Sequence, residues 1–163
     1  MPFYRYELVS TLQPETVLRR VGTLVREAPG FLQSVKESFW KRPEDAPPFI
    51  GKIEGNAFRM HRNIRYRNSF LPQVRGSVVS TPVGTTLRIT MHLHPVAAVF
   101  MLVWLGAVAT GALAAFTSQC ESIASALIPA GMLVFGIALT VGGFYPEAFK
   151  ARRLLEQAVG TGA

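Results

Sequence analysis

Charge is missing from a long central part of this chain. Residues 95–120 contain no Asp, Glu, Lys or Arg, whereas residues 1–94 hold fourteen of the seventeen basic residues and seven of the ten acids. An uncharged apolar stretch of this length is typical of membrane-spanning helices. The uneven distribution predicts a soluble part joined to a membrane part, rather than one apolar globule.

The sequence also has little cysteine and does not begin with a leader pattern. Cys120 is the single cysteine, which excludes an intrachain disulfide framework and a multi-cysteine metal site. The opening residues, MPFYRYELVS, have no basic segment followed by an apolar run, so we expect no cleavable signal peptide. The first segment able to insert follows Pro95, and we expect it to act as an uncleaved anchor.

Enzyme signatures are absent from the sequence. It contains no Gly-rich phosphate loop, no nucleophile elbow and no HExxH motif. No cofactor is expected. The net charge of +7 suits an anionic membrane surface. The same charge would suit nucleic acid, but no recognition motif supports that partner, so we expect none.

The soluble part, residues 1–94, has an α+β pattern. Apolar alternation and turn residues predict an N-terminal strand and then a four-stranded antiparallel meander. Helical spacing of apolar residues predicts an amphipathic helix, Pro14–Ala28. The strands expected are Phe3–Ser10, Phe49–Glu54, Ala57–Arg67, Gln73–Thr81 and a last strand ending at His94, with a hairpin turn at Gly55–Asn56. Phe31–Trp40 has the pattern of a short second helix, and Lys41–Pro48 that of a loop.

Residues 95–145 predict a transmembrane hairpin of two helices, 96–116 and 123–144. Each uncharged span is long enough to cross about 30 Å of hydrocarbon. Pro129 predicts a kink in the second helix, and Trp104 is expected to pack on the partner helix or face lipid. Small residues four apart predict where the helices meet. These seam residues are Ala107, Gly111, Ala115, Ala126, Ala130, Ala138 and Gly142.

Residues 146–163 form a basic tail. Lys150, Arg152 and Arg153 follow the second span, and the loop between the spans has no basic residue. The positive-inside rule then places both termini in the cytoplasm of a bacterium, with the hairpin in the inner membrane. Within the tail, Glu147–Val159 is expected to form a short interfacial helix near the lipid headgroups.

The stretch Thr85–Phe116 joins the two parts without a flexible linker. The last strand passes directly into the first span through His94 and Pro95. We therefore expect the sheet to lie against the membrane at a fixed tilt, with His92 and His94 at the level of the headgroups.

Two sets of side chains are candidates for binding. Arginines follow one another along and near the predicted third and fourth strands: Arg59, Arg62, Arg65, Arg67 and Arg75. Such a basic surface could hold lipid phosphates or an acidic partner, or simply be solvated. The three histidines His61, His92 and His94 lie on polar strand faces, and His-x-His spacing is one way to present a metal with two ligands. No carboxylate or cysteine lies close to them in the sequence. Histidines in this setting are more often polar residues at a membrane interface than metal ligands.

Part of the chain resembles a family of small uncharacterised bacterial membrane proteins that carry a domain of unknown function. The resemblance covers about Phe49–Trp104. Its motifs are an F-x-G strand, the YRNSFLP turn and a GT-x-L/I strand ending in LHP, followed by two spans. It implies this architecture and adds no activity.

Three functions fit the sequence. The first is a non-enzymatic binding or accessory protein, anchored in the lipid bilayer, that contacts a membrane protein partner, a second copy of itself or anionic headgroups. The second is a ligand-binding cup of helix-grip type lined by inward aromatics. The third is a membrane-surface enzyme that uses the three histidines. A large apolar pocket would favour the second, and convergent histidines the third.

Overall fold

A six-stranded sheet forms the centre of the α+β part of the chain. The computed structural model describes residues 2–27, 46–82, 84–117 and 123–160. The strands are β1 (Phe3–Ser10), β2 (Val25–Glu27), β3 (Phe49–Glu54), β4 (Ala57–Arg62), β5 (Gln73–Thr81) and β6 (Gly84–His92). Their order across the sheet is β1-β6-β5-β4-β3-β2. Every neighbouring pair is antiparallel except β2 with β3, which is parallel. The fold is α+β, as predicted, with a sheet larger than the predicted meander.

Alternation along most of the strands gives the sheet one buried face and one open face. On β6, Leu87, Ile89 and Met91 are completely buried, while Arg88 between them is exposed. Successive strand residues point to opposite faces, so a register shift of one residue would expose the whole apolar set. The buried face of the sheet packs against two helices.

Helix α1 (Pro14–Thr23) crosses this buried face between the two edges of the sheet. Val17 and Val21, one turn apart, are completely buried. The predicted helix Pro14–Ala28 is too long, because Val25–Glu27 forms strand β2 and pairs with Phe49–Gly51 of β3. The backbone hydrogen bonds of this pairing outweigh a helical pattern that continues past Thr23.

Other element ends also differ from the sequence pattern. Strand β4 stops at Arg62, not Arg67, because the backbone N–H of Asn63 donates to the Pro48 carbonyl at 2.8 Å and its side-chain amide to the Pro47 carbonyl at 3.0 Å. Gly55, in the predicted turn with Asn56, has a φ of 56°, which suits glycine. The possible helix Phe31–Trp40 and most of Lys41–Pro48 lie outside the described residues.

Two helices follow the sheet, and both are long and apolar enough to cross a membrane. Two residues separate the end of β6 from helix α2 (Pro95–Thr117), and α3 (Ile123–Val159) has 37 residues and contains Pro129 and Pro146. Beyond the predicted span, α3 continues over Glu147–Val159 and packs against the sheet. There Ala148, Ala151 and Leu155 are completely buried in the core, so this stretch packs on the sheet instead of lying free at an interface.

Helices α2 and α3 meet along a stripe other than the predicted seam. A Cβ atom on Gly136 would lie 2.3 Å from the Trp104 ring, so Gly136 is where the helices approach closely, and Trp104 packs on the partner helix. Gly111 and Gly142, by contrast, have no atoms within 4 Å of a Cβ position. Of the other predicted seam residues, Ala107 and Ala138 are exposed and Ala115 and Ala130 half-buried, while the side chain of Ala126 lies outside the described residues. The predicted stripe therefore faces mostly outward.

Candidate functional site

The segment between β4 and β5 packs on α3 where the helix begins to contact the sheet core. The side-chain amide of Asn68 donates to the Gly143 carbonyl at 2.8 Å, and its Oδ1 accepts the backbone N–H of Phe70. The Phe70 ring lies against Gly143, where a Cβ atom would come within 2.9 Å of it. Glycine at this position therefore allows the segment to approach the helix backbone.

Four residues from β4, this segment and α3 form a polar cluster at the same junction. Glu147 is 2% exposed and accepts from Arg62 at 2.5 Å, from the Tyr66 hydroxyl at 2.6 Å and from Lys150 at 3.0 Å. Burial alone would raise the pKa of the Glu147 carboxyl, but hydrogen bonds from Tyr66 and Lys150 and the charge of Arg62 outweigh it and lower that pKa. The carboxylate is satisfied on every side, so the cluster fixes the helix to the sheet rather than offering a reactive group.

The open face of the sheet carries the second set of polar residues. Strand registers place Arg5, Thr90, Arg75, Arg59 and Lys52 side by side across five strands. We call this line the basic row. It contains four cations and no acid, and like charges directly opposite each other destabilise a sheet. The arrangement is therefore unfavourable unless water or an anion compensates it.

The neighbouring rows differ in charge. Further from α2, Glu7 pairs with Arg88 through a 3.1 Å ion pair, and Glu54 lies in the same row at the other side of the sheet. Nearer to α2, Gln73 lies between His61 and His92. Along the strands toward α2, the rows of side chains therefore change from mixed acidic and basic residues, to basic residues only, to imidazole and amide groups.

A shallow groove of about 310 Å³ follows these steps down to the start of α2. We call it the polar groove. Its polar lining residues are Arg59, His61, Gln73, Arg75, His92 and His94. Two guanidinium groups, three imidazoles and one amide line it, and no carboxylate belongs to this set. Such a donor set favours an anion over a cation.

The predicted arginine set is divided by the fold. Arg59 and Arg75 are direct cross-strand partners on the open face. Arg62 points to the other face and binds Glu147. Arg65 and Arg67 are exposed in the segment after β4, at the end of the sheet from which both long helices leave. Only two of the five residues therefore share one site, and Lys52 and Arg5, which join them in the basic row, carry no signal in the sequence until the strand order is known.

The histidines lie near one another without converging on a point. His61 and His92 are separated by the Gln73 strand. Nδ1 of His94 accepts the backbone N–H of Val96 at 3.3 Å in the first turn of α2. Among the described residues, no group of three or more His, Cys, Asp or Glu side chains could hold a metal ion. The groove therefore offers hydrogen-bond donors rather than a metal-ligand set.

The inward aromatics of the proposed cup pack against other side chains. Phe58 is buried, and its ring covers Gly76 on β5. The ring centroids of Tyr4 and Phe149 lie 5.7 Å apart, and the Tyr4 hydroxyl accepts a hydrogen bond from Arg152. An apolar groove of about 400 Å³ lies instead between α2 and α3, lined by Leu105, Ile137, Val141 and neighbouring residues. Phe58 and Tyr4 are therefore packed against other side chains, whereas Tyr66 is exposed and donates to Glu147.

The comparisons with known proteins add no activity. The sequence matches no protein-family model and no curated protein. A crystal structure of protein MLL2253 from Mesorhizobium loti is similar over 99% of both chains, with 14% identity and a TM-score of 0.37. Another, of protein CV1439 from Chromobacterium violaceum, covers 58% of this chain and 81% of its own, with 17% identity and a TM-score of 0.28.

Proposed function

We propose that this chain is a non-enzymatic binding or accessory protein that is anchored in a bacterial inner membrane. Its α+β domain stands on the cytoplasmic surface and presents the open face of the sheet to an anionic partner. The observation that carries this proposal is the continuity of α3, which runs as one helix from an apolar span into the domain core.

The domain stands upright in this arrangement. Tyr4 near the start of β1 contacts Phe149 and Arg152, and Ser10 at its end donates to the Val159 carbonyl at 3.1 Å. Strand β1 therefore runs alongside the last part of α3 and in the same direction. If the apolar part of α3 crosses the bilayer, the strands run away from the membrane surface. All residues of one cross-strand row then lie at about the same height above that surface.

The height of the basic row follows from two chain distances. Thr90 is five residues from Pro95, which is at most roughly 17 Å along a strand. Phe149 is five residues beyond the predicted span end at Phe144, about 8 Å along a helix. The row is thus roughly 8–17 Å above the hydrocarbon. Since headgroups occupy about 5–8 Å on each side of a bilayer, the open face begins at the headgroup layer.

The other two candidate functions have less support. A cup of helix-grip type needs a cavity between the sheet and its helices, and the core aromatics fill that layer in the described residues. An enzyme that uses three histidines needs them at one point, and the sheet register separates His61 from His92.

Chemical labelling of Cys120 tests the membrane topology. The proposal puts this lone cysteine, between the two spans, on the far side of the membrane. In intact bacterial cells that express the full chain, a membrane-impermeant maleimide should label it after the outer envelope is made permeable. The control variant, C120A with S80C, should react only after the inner membrane is lysed, because exposed Ser80 lies one residue before the end of β5 in the domain. The reverse pattern would contradict the proposal.

A further inference from the structure

We propose that the polar groove binds the phosphate of an anionic lipid headgroup from the leaflet on which the domain stands. This inference rests on the proposed membrane anchoring and names the ligand of the open face. It joins two residue sets that the sequence keeps apart, namely two of the arginines and the three histidines.

The first argument is the donor set at the groove. Arg59 and Arg75 lie directly opposite each other with no acid in their row. Two adjacent guanidinium groups repel, and a phosphate between them turns this repulsion into two charge-assisted interactions. Gln73 and His92, one row closer to α2, add shorter polar side chains below the arginines.

The second argument is an unsatisfied group. Nδ1 of His92 donates to the Leu93 carbonyl at 2.9 Å, and its Nε2 is buried with no hydrogen-bond partner among the described residues. A buried polar atom without a partner is destabilising and needs an explanation. His92 is one of the residues that line the polar groove, so this unsatisfied atom belongs to the same site.

The third argument is the start of α2. Pro95, its first residue, closes the lower end of the groove. A helix N-terminus carries a partial positive charge, which attracts anions. Since Nδ1 of His94 accepts the Val96 N–H, its neutral ring has the proton on Nε2 and can donate to a second acceptor.

The height of the polar groove favours a lipid over an acidic protein as its ligand. The groove extends from Pro95, where the apolar span begins, to the basic row. The lower part of this range is the height at which headgroup phosphates lie, and long arginine side chains can reach down to them along the sheet. Lipid phosphate is present at this height at all times, whereas an acidic protein would have to reach below the basic row.

Native mass spectrometry of the full-length protein in a non-ionic detergent tests the inference. Added phosphatidylglycerol should bind at least about tenfold more tightly than phosphatidylcholine. The variant R59Q/R75Q should lose this preference, with about tenfold to thirtyfold weaker binding. R59K/R75K keeps the charge and should keep part of the binding, which separates loss of charge from loss of folding.

A matched control removes the same charge elsewhere. R19Q/R153Q takes two exposed arginines from α1 and α3, on the other side of the sheet, and should change lipid binding less than about twofold. Equal weakening in both pairs would overturn the inference, because the attraction would then be unspecific. Displacement of the lipid by millimolar inorganic phosphate would also overturn it, in favour of a soluble phosphate compound. Normal Cys120 labelling together with no lipid preference would leave the anchoring intact and refute the lipid site alone.

Discussion

At the scale of single residues, Arg62 shows what local sequence patterns cannot supply. It interrupts the apolar face of β4, and periodicity alone indicates no partner for it. The structure instead gives it a carboxylate on α3, 85 positions later in the chain. A partner at that separation is visible only after the sheet and the helix have packed. The one local hint is that Glu147 lies within the apolar stripe formed by Phe144, Ala148 and Ala151.

We predict that E147Q lowers the free energy of unfolding of the domain by about 3 kcal/mol. The substitution keeps the shape of the side chain but leaves Arg62, 18% exposed, without its counter-charge. Urea unfolding in detergent, followed by circular dichroism, measures this change. The matched control is E7Q, which removes an ion pair whose two side chains are about half exposed, and should cost less than about 1 kcal/mol. Equal losses in the two variants would show that Glu147 does not fix the helix to the sheet.

The same carboxylate predicts how stability depends on pH. The pKa of Glu147 is lower in the folded protein than its ordinary value of 4.5. Its contribution is therefore complete above that value and disappears as the pH falls through the lower folded pKa. The melting temperature should fall more steeply below about pH 4.5 in the wild type than in E147Q. Parallel curves for both proteins would contradict this assignment.

At the scale of elements, the sequence predicts strands well and helix ends less well. Strands β1, β3 and β5 have the predicted bounds, because alternation and turn residues are local signals. The predicted end of α1 is wrong, because Val25 forms a parallel pair with Phe49. The position of Phe49 depends on the whole sheet. The missed continuation of α3 has the same origin. Its apolar stripe suits a membrane interface or a protein core equally well.

The helix hairpin gives a prediction at this scale. G136A should separate α2 from α3, because its new methyl group would collide with the Trp104 ring at 2.3 Å. G142A adds the same methyl group where nothing lies within 4 Å, so it should be neutral or slightly stabilising through helix propensity. Helix association can be measured by energy transfer between labelled α2 and α3 peptides in liposomes. Weaker association in G142A than in G136A would restore the seam that the small residues predict.

At the scale of the whole molecule, two connections hold the domain to the apolar helices. The first is the short step from β6 to Pro95, which the sequence shows directly. The second is α3, which enters the core and is fixed there by the Glu147 cluster and by the contact of Asn68 with Gly143. Periodicity finds the first because it lies within one stretch of chain. It misses the second because that connection joins residues more than 70 positions apart.

These two connections predict the effect of flexible insertions. A Gly-Ser-Gly-Ser insertion after His94 alone should leave the sheet in the same position relative to the apolar helices, because α3 still connects them. A second insertion, between Gly142 and Gly143, should release the domain, since it breaks the helix below the Asn68 contact. Spin labels on Cys120 and on R88C, measured by pulsed electron resonance in nanodiscs, report the distance between the far loop and the sheet. The distance distribution should stay narrow after the first insertion and broaden after both. Broadening after the first alone would mean that the β6–α2 step, and not α3, sets the position of the sheet relative to the apolar helices.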